Sequence, residues 1–436
     1  MSSTSVSVIF SFRSPGKFAL TPLTGSLETA ALPNVTLHHP HDDAELVQTV
    51  RARLDAGDRV IVAWSFYSPS FAEAAEGLAK LNHAESRPFV TIAGGVHATA
   101  EPRQTLDAGF QLVCVGEGER VIVELVTAVQ AGRPLSSVPG CARLEHGAVV
   151  QQPKPPRVEL DDSPPFAPAH GLFGPIEITR GCIYACRFCQ TPYFSKARFR
   201  HRSPQNAARW AASLAAAGRR DLRFVSPTSL SYGSNDEGVV LDAVEELLAR
   251  CVEAMKPSDG RVYFGTFPSE VRPEHVTPAA LQLIKKYCAN DNLVIGGQSG
   301  SDRVLEASMR GHDVAAIERA VRISLENGLV PNVDFILGLP GEASEDVAAS
   351  VKLMRTLAEL GARVHAHTFM PLPGTPFRDA APGTIDEQTH LELERLASAQ
   401  LLYGQWKSQA KIAAEIAERR DTLARGYGSA LSGTNE

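Results

Sequence analysis

Short hydrophobic runs rich in β-branched residues alternate with amphipathic segments over the first third of the chain. The apolar residues of the amphipathic segments recur at helical spacing. This alternation is typical of an α/β fold in which a parallel sheet carries helices on both faces. Residues 1–146 are therefore expected to form a doubly wound, Rossmann-like or flavodoxin-like domain. The predicted strands are 6–10, 35–37, 60–64, 89–93 and 112–115, and the predicted helices are 44–56, 70–82, 102–108 and 119–131.

Prolines become dense between residues 147 and 174, where Pro155-Pro156 and Pro164-Pro165 are adjacent pairs. Proline fixes φ and has no N–H to donate, so this density disfavours both a helix and a central strand. We expect residues 147–174 to form an extended, fairly stiff linker between two domains.

A second series of alternating strands and helices occupies residues 175–380. Six strand–helix units are too few to close an eight-stranded barrel, so the pattern predicts an open, TIM-like (βα)6 partial barrel. The site of such a fold lies at the carboxyl ends of its strands. The predicted strands are 176–179, 222–225, 262–266, 293–296, 333–337 and 363–368, and the predicted helices are 204–217, 239–255, 278–287, 314–327 and 344–360.

Residues 381–436 are predicted to form a helical extension followed by a polar tail. Apolar residues recur at helical spacing from Glu387 to Tyr403 and again from Lys407 to Arg425. Amphipathic helices that cover the open side of the barrel have this pattern.

The composition favours a globular protein without a strong electrostatic preference for a partner. The chain has 436 residues, 44% of them hydrophobic, and a formal charge of −6. This balance gives no overall attraction to nucleic acid or to an anionic membrane. No apolar run approaches the roughly 18 residues of a membrane span, and the first residues lack a signal-peptide pattern, so a cytoplasmic location is expected. Four isolated cysteines, interpreted as core residues of a reducing compartment, are Cys114, Cys141, Cys251 and Cys288.

The other three cysteines, Cys182, Cys186 and Cys189, share one short stretch with the spacing C-x3-C-x2-C. They follow the predicted first strand of the barrel and so lie at its carboxyl edge. A thiolate is a metal ligand, but a structural zinc site uses four ligands, and no fourth Cys or His stands at ligand spacing here. A four-iron cluster held by three cysteines leaves one iron open. A zinc knuckle and three unrelated buried cysteines remain alternatives.

The spacing C-x3-C-x2-C, with Phe188 before the last cysteine, resembles the signature of the radical S-adenosylmethionine (SAM) enzymes. The resemblance implies that the three cysteines hold a [4Fe–4S] cluster and that the open iron binds the amino and carboxylate groups of SAM. It also implies that one electron, from a donor such as flavodoxin or ferredoxin, cleaves SAM to methionine and a 5′-deoxyadenosyl radical. Such a radical removes hydrogen from an unactivated carbon.

Three stretches of the first domain resemble the cobalamin-binding domain that precedes the radical SAM domain in one large subfamily. They follow the third, fourth and fifth predicted strands and contain a serine, Gly-Gly-x-His-x-Thr and Gly-Glu-Gly-Glu. The Asp-x-His-x-x-Gly motif that ligates cobalt is absent from residues 11–18. A domain that keeps the fold without the cofactor is the alternative. The cobalamin contacts that the resemblance implies are Ser65, Tyr67, Gly94, Gly95, His97, Gly116 and Glu117.

Polar stretches also follow the predicted barrel strands, and their order resembles the barrel of the methylthiotransferases and their cobalamin-dependent relatives. This resemblance makes Gln298 and Ser299 the leading candidates for the SAM pocket, followed by Ser269 and Glu270. Residues 226–233 lack the Gly-Gly-Glu that binds the SAM amino group in many relatives, so that contact is unassigned. The motifs in order are Gln-Ser-Gly-Ser (298–301), Met-Arg-Gly-His (309–312), Gly-Leu-Pro-Gly-Glu (338–342) and Pro-Gly-Thr-Pro (373–376).

The sequence thus predicts a cobalamin-dependent radical SAM methyltransferase that acts on an unactivated carbon of a small molecule or peptide. No catalytic side chain is assigned. A nucleic-acid partner is not expected, because the β-rich module that methylthiotransferases carry at their C-terminus has no counterpart among the predicted helices. The alternatives are a radical SAM enzyme that catalyses cyclisation, rearrangement or oxidation, and a non-catalytic iron–sulfur protein for electron transfer or sensing.

Overall fold

A computed structural model describes residues 5–14 and 16–432 of the chain, with side chains up to residue 422. The end of the predicted polar tail, from Gly433 on, lies outside the described residues. The chain divides into two compact units, which meet in sequence between Gly174 and Pro175.

The first unit is built on a seven-stranded sheet. Its strands are β1 (Val6–Phe10), β2 (Val35–His38), β3 (Arg59–Ser65), β4 (Val90–Gly94), β5 (Leu112–Cys114), β6 (Cys141–Glu145) and β7 (Ala148–Gln151). Their spatial order is β2-β1-β3-β4-β5-β6-β7. The first five strands are parallel, whereas β6 and β7 are antiparallel additions.

Helices cover both faces of this sheet. They are α1 (Lys17–Ala30), α2 (Asp43–Asp55), α3 (Phe71–Ala84), α4 (Val96–Ala100), α5 (Pro102–Asp107) and α6 (Glu119–Gln130). Alternate residues of β1 enter two separate cores: Val8 and Phe10 pack with α1 and α6, and Ile9 packs with α2 and α3. The period of two along a strand produces this division. The predicted doubly wound domain is confirmed.

Two elements of the first unit differ from the prediction. Helix α1 was not predicted, and it contains Pro22. Strand β7 lies within residues 147–174, which the proline density had indicated as a linker. It pairs with β6 through the two-residue turn His146-Gly147, whose φ values of 50° and 78° are those of a type I′ hairpin.

The second unit contains nine strands. They are β8 (Ile176–Glu177), β9 (Thr179–Arg180), β10 (Arg200–His201), β11 (Asp221–Val225), β12 (Arg261–Tyr263), β13 (Asn292–Gln298), β14 (Val330–Leu337), β15 (Arg363–Thr368) and β16 (Leu402–Gly404). The strands β12-β11-β8 form one sheet and β13-β14-β15-β16 another. A parallel bridge between Val271 and Ile295 links the segment after β12 to β13.

All strand pairs of these two sheets are parallel, and neighbours follow one another in sequence order. This is the connectivity of an open barrel, as predicted. Its helices are α7 (Thr191–Ser195), α8 (Pro204–Ala216), α9 (Leu241–Met255), α10 (Pro278–Tyr287), α11 (Asp302–Ala307), α12 (Val314–Glu326), α13 (Ser344–Leu360), α14 (Glu387–Ser398) and α15 (Trp406–Ser432).

The C-terminal extension is not wholly helical, and this corrects the prediction. Helix α14 ends at Ser398, Gln400 adopts a left-handed φ of 59°, and β16 then adds a seventh strand beside β15. Leu402 is buried on the sheet. The run from Leu401 to Tyr403 is as apolar as a helical face, so hydrophobic periodicity did not separate it from the helix. None of the helices in the described part of the chain combines the length and apolar character that crossing a bilayer requires.

Candidate functional site

The three-cysteine stretch forms a loop between β9 and β10, which pair antiparallel on either side of it. Gly181 opens the loop with a φ of 88°, and a Cβ there would overlap the carbonyl oxygen of Arg198. Only glycine therefore fits this position. The backbone N–H of Cys182 donates to Ser195 Oγ at 3.2 Å, and that of Cys189 donates to Cys186 O at 3.1 Å. These contacts fix the path of the loop.

The cysteine side chains lie in an apolar environment. Cys182 and Cys186 are buried and pack with Tyr184 and Phe199, and Cys189 is half-buried beside them. Burial raises the pKa of Cys182 to about 12 and also raises the pKa of Cys189. Without a metal the thiols of Cys182 and Cys189 keep their protons, whereas a bound metal replaces the proton and stabilises the thiolate.

The sulfur atoms are too widely spaced for a single zinc ion. Among the described residues, only one group of three His, Cys, Asp or Glu places its ligand atoms within 4.8 Å of one another, and the cysteines are not that group. Two ligands of one zinc ion at about 2.3 Å cannot be more than about 4.6 Å apart. The arrangement therefore suits a cluster of several metal atoms, which the donor set of three thiols also fits.

A buried arginine joins the cysteine loop to the strand ends. Arg310 donates to Cys186 Sγ at 3.4 Å and to the carbonyl oxygen of Gly296 at 2.6 Å. Atoms of Arg310, Glu270 and Gln298 all lie 2.9–3.0 Å from the position of a Cβ on Gly296. Because Gly296 has no side chain, these three polar groups share one space. Burial raises the pKa of Glu270 to about 7.

The four SAM candidates from the sequence thus divide into two pairs. Glu270 and Gln298 belong to the polar group beside Cys186. Ser269 uses its hydroxyl to donate to Phe224 O at 2.7 Å and to accept from Ser226 N at 2.9 Å. Ser299 Oγ lies 3.3 Å from the hydroxyl of a helix α13 serine and accepts from Ser301 N at 3.2 Å. The hydroxyls of Ser269 and Ser299 therefore bind their own loops and helix.

Two further polar residues stand where the sequence left the SAM amino contact unassigned. Thr228 Oγ1 and Ser229 Oγ are buried after β11 and have no hydrogen-bond partner within the described part of the chain. The backbone N–H of Ser229 donates to Glu270 O at 2.8 Å, so this segment adjoins the polar group. Buried hydroxyls without partners are costly unless a ligand bonds them. Together with Glu270 and Gln298, these two hydroxyls suit the charged groups of a bound amino acid.

A polar row crosses the second sheet. Gly296, Asp334, His365 and Tyr403 are successive partners on β13, β14, β15 and β16. Val333, Phe335, Val364 and Ala366 are fully buried on the other face, where α12 and α13 pack. The sequence analysis missed His365 and His367. Their His-x-His spacing in a predicted strand is a usable signal, because it places both rings on one face.

In the first unit, the carboxyl edge of the sheet contains a pocket between β1 and β3. Its lining includes Ser11, Arg13, Ser14, Gly16 and Ser65. The strand order reverses between β1 and β3, and ligands of doubly wound sheets bind at such a point. The hydroxyls fit a polar ligand, whereas Gly16 allows its own segment to pass close to the carbonyl oxygen of Ser65.

The other residues predicted to contact cobalamin have different surroundings in the structure. Gly95 has φ 94° and ψ −179°, and a Cβ there would lie 2.6 Å from Phe66 O, whereas Gly94 and Gly116 have only ordinary neighbours. Tyr67 is exposed. His97 is buried, with Nδ1 3.0 Å from Ser68 Oγ and its ring stacked on Phe71 at 4.4 Å. The side chain of Glu117 accepts from Val158 N at 2.8 Å. His97 and Glu117 therefore have roles within the unit.

Residues 176–354 match the sequence profile described as the radical SAM superfamily. This part of the chain is a radical SAM domain. The radical SAM domain predicted from the cysteine spacing is thereby confirmed for residues 176–354, and such a domain implies a [4Fe–4S] cluster and SAM as cofactors.

Among curated proteins, this chain is 30% identical over 253 residues to tRNA-2-methylthio-N(6)-dimethylallyladenosine synthase of Saccharophagus degradans. The match covers 56% of this chain and 52% of that protein. The chain thus spans about half the length of this curated relative.

Solved structures show the same fold at low identity. TsrM from Kitasatospora setae, a radical SAM methyltransferase with cobalamin and a [4Fe–4S] cluster bound, gives a TM-score of 0.68 at 18% identity, covering 87% of this chain and 74% of TsrM. OxsB, a cobalamin-dependent SAM radical enzyme with aqua-cobalamin bound, gives 0.64 at 15% identity, covering 91% and 55%. This chain therefore shares with these enzymes a doubly wound unit that is followed in sequence by a radical SAM barrel.

Proposed function

We propose that this radical SAM enzyme is a cobalamin-dependent methyltransferase that methylates a carbon atom of a small molecule or peptide. The observation that carries the proposal is the pocket at the point between β1 and β3 where the strand order reverses, in the same chain as the three-cysteine loop. The likeness of fold to TsrM and OxsB, which are described as binding cobalamin, supports the same assignment.

In the second unit, Cys182, Cys186 and Cys189 are the residues that would hold the cluster. Bound there, the cluster and SAM supply one-electron cleavage chemistry that no side chain provides. Arg310 places its positive charge against Cys186 and offsets the charge of the thiolates. Thr228 and Ser229 are the unpartnered hydroxyls available to a polar group of SAM.

In the first unit, the pocket lined by Ser11, Ser14 and Ser65 is the proposed cobalamin site. Arg13 forms an ion pair with Asp43 at this edge, so its charge is already balanced there. No histidine follows β1 in residues 11–18. We therefore propose that cobalamin binds without a cobalt ligand from that segment, and that flavodoxin or ferredoxin donates the electron.

The experiment is anaerobic reconstitution of the full chain with iron, sulfide and cobalamin, followed by addition of a strong reductant and methyl-labelled SAM. We expect about four iron atoms per chain, uptake of cobalamin, release of 5′-deoxyadenosine or methionine, and label in the cobalamin fraction. The triple Cys182/Cys186/Cys189→Ala variant should lose iron and SAM cleavage. Cys288→Ala, which removes a cysteine outside the loop, should retain both.

Three results would redirect the proposal. SAM cleavage without cobalamin uptake and without label transfer would leave a radical SAM enzyme that catalyses cyclisation, rearrangement or oxidation. Cluster loading in the triple variant would overturn the assignment of the cluster ligands, and a cluster that does not respond to SAM would indicate electron transfer or sensing.

A second candidate is methylthio transfer to tRNA, which the 30% identical curated relative favours by its name. Incubation of the reconstituted enzyme with bulk tRNA and labelled SAM distinguishes the two. Label in tRNA would favour methylthio transfer over the methyltransferase proposal.

A further inference from the structure

Asp334, His365 and His367 form a compact polar cluster on the row that crosses β14 and β15. They are the group, among the described residues, whose ligand atoms lie within 4.8 Å of one another. His365 Nδ1 lies 2.9 Å from Asp334 Oδ1 and 3.1 Å from His367 Nε2. Two histidines and a carboxylate at such distances could bind either a divalent metal ion or a proton, and the neighbours of the cluster decide between the two.

Gln409 on α15 determines which nitrogen of His367 carries the proton. Gln409 Oε1 accepts the backbone N–H of Thr368 at 3.0 Å, so the oxygen end of the amide is assigned. The other end, Nε2, therefore donates to His367 Nδ1, which lies 3.1 Å away. A nitrogen that accepts a hydrogen bond has no proton, so neutral His367 carries its proton on Nε2.

His367 remains neutral at pH 7, because burial and then the neighbouring His365 lower its pKa. Its Nε2–H points into the cluster and donates to His365 Nδ1. A metal-binding histidine has the reverse arrangement: the ligand nitrogen is unprotonated and the outer N–H donates to an acceptor. Gln409 supplies a donor at that outer position, and so it disfavours metal binding.

With this tautomer of His367, no proton lies between Asp334 Oδ1 and His365 Nδ1. His365 Nδ1 already accepts from His367, and the carboxylate oxygen of Asp334 presents a second acceptor 2.9 Å away. Two acceptors at this distance repel unless a proton lies between them. One added proton removes the repulsion and creates an ion-paired hydrogen bond.

The charges around this contact come from several elements. The ring of Tyr403 on β16 stacks on the ring of His365 at 4.5 Å, with the two planes nearly parallel. The carboxylate near Tyr403 is that of Asp334. Glu270 and Arg310 stand at the other end of the row over Gly296. Arg363, two residues before His365 on β15, is exposed at the start of the strand. The side chains of His365 and Asp334 are 27% and 15% exposed, so the contact is reachable from the face opposite α12 and α13.

We propose that Asp334, His365 and His367 form a proton-accepting site, which binds a substrate through an N–H or O–H group. Gln409 holds the tautomer of His367 with which the site binds a proton rather than a metal ion. The substrate N–H or O–H bond breaks, its proton moves to the Asp334–His365 contact, and its electron pair stays on the substrate. No oxidant or reductant is needed. The inference rests on the proposed methyltransferase function. It assigns the substrate of that enzyme to molecules with a polar N–H or O–H group.

The first test measures zinc binding by the cluster-loaded full chain under anaerobic conditions. We expect wild type to bind no zinc that depends on His365. Gln409→Glu should gain about one zinc ion per chain, because a carboxylate accepts both from Thr368 N–H and from a proton on His367 Nδ1. Adding His365→Ala to Gln409→Glu should remove that zinc. The matched control is Gln405→Glu, which introduces the same charge at an exposed position just before α15.

The second test is nitrogen-15 NMR of the full chain labelled at histidine, with His367 assigned from His367→Gln. We expect the His367 proton on Nε2 in wild type and on Nδ1 in Gln409→Glu.

Zinc in wild type that is lost in His365→Ala would make the cluster a metal site, and an unchanged tautomer in Gln409→Glu would remove the role given to Gln409. Either result overturns the inference. Neither measurement uses SAM or cobalamin, so its failure is distinguishable from failure of the methyltransferase proposal.

Discussion

Glu342 follows β14 and carries a carboxyl group that the fold only half satisfies. Its Oε2 accepts from Gly338 N at 2.6 Å, while Oε1 is buried without a partner in the described part of the chain. Burial raises the pKa of Glu342 from 4.5 to about 7. Between these two pH values the folded state holds a proton that the unfolded state has released. The free energy of unfolding therefore decreases as the pH rises through this window.

We predict that Glu342→Gln removes this loss. The amide oxygen still accepts from Gly338 N, and the neutral side chain has no charge to desolvate. Relative to wild type, the variant should gain roughly 2 kcal/mol in unfolding free energy between pH 4.5 and 7, a value reduced because the side chain is partly exposed. Urea denaturation at several pH values measures it.

The control is Glu345→Gln, which removes an exposed carboxylate in the first turn of α13. The prediction is contradicted if the free energies of unfolding of wild type and Glu342→Gln change in parallel with pH.

At the scale of residues, the sequence predicted those site positions that a local motif marks. The three cysteines share one loop, and Glu270 and Gln298 meet beside Cys186, as a shared pocket requires. Arg310 appeared only as part of a motif, because its contact with Cys186 joins positions 124 residues apart. The roles of Ser269 and Ser299 depend on which backbone group each hydroxyl meets, and sequence spacing does not encode that.

At the scale of elements, β16 depends on a single backbone position. Gly404 has a φ of 139°, and a Cβ there would overlap the carbonyl oxygen of Ala366 on β15. We predict that Gly404→Ala destabilises the protein by roughly 2 kcal/mol or more, because strain and overlap add. Thermal and urea unfolding measure the loss, and protease cleavage near β16 reports whether the strand detaches.

Gly328→Ala is the matched control, because Gly328 also has a positive φ, 74°, but no atom lies within 4 Å of its Cβ position. It should lose only about 1 kcal/mol. Equal losses in the two variants would show that the overlap with Ala366 has no energetic effect.

Most elements were predictable because hydrophobic period and turn residues agree along most of the chain. Helix α13, for example, has the predicted bounds of Ser344 and Leu360. The missed elements are those where local signals conflict. Pro22 lies inside α1, prolines follow β7 closely, and the apolar run of β16 continues the pattern of α14. Strand pairing decided the outcome in both: β7 pairs with its neighbour β6 through a two-residue turn, and β16 pairs with β15 across the intervening α14.

At the scale of the whole molecule, the cysteine loop has contacts within its own unit. Ser195, Phe199, Arg272 and Arg310 contact it there. We predict that full-length protein produced without cobalamin still loads its cluster and cleaves SAM, at a rate within about twofold of protein containing cobalamin, with methyl transfer abolished. The measurement is 5′-deoxyadenosine formed per chain under strong reductant. Loss of cluster loading in cobalamin-free protein would refute the independence of the two sites.

The row of Gly296, Asp334, His365 and Tyr403 has a consequence for how such proteins diverge. Each residue comes from a different parallel strand, and its height is set by the register with its neighbours. Inserting or deleting one residue within a strand turns every later side chain of that strand to the opposite face. Homologues that keep this constellation must therefore vary by substitution inside the strands and by length only in the connecting loops, so aligned gaps within β13 to β16 identify lineages that have abandoned it.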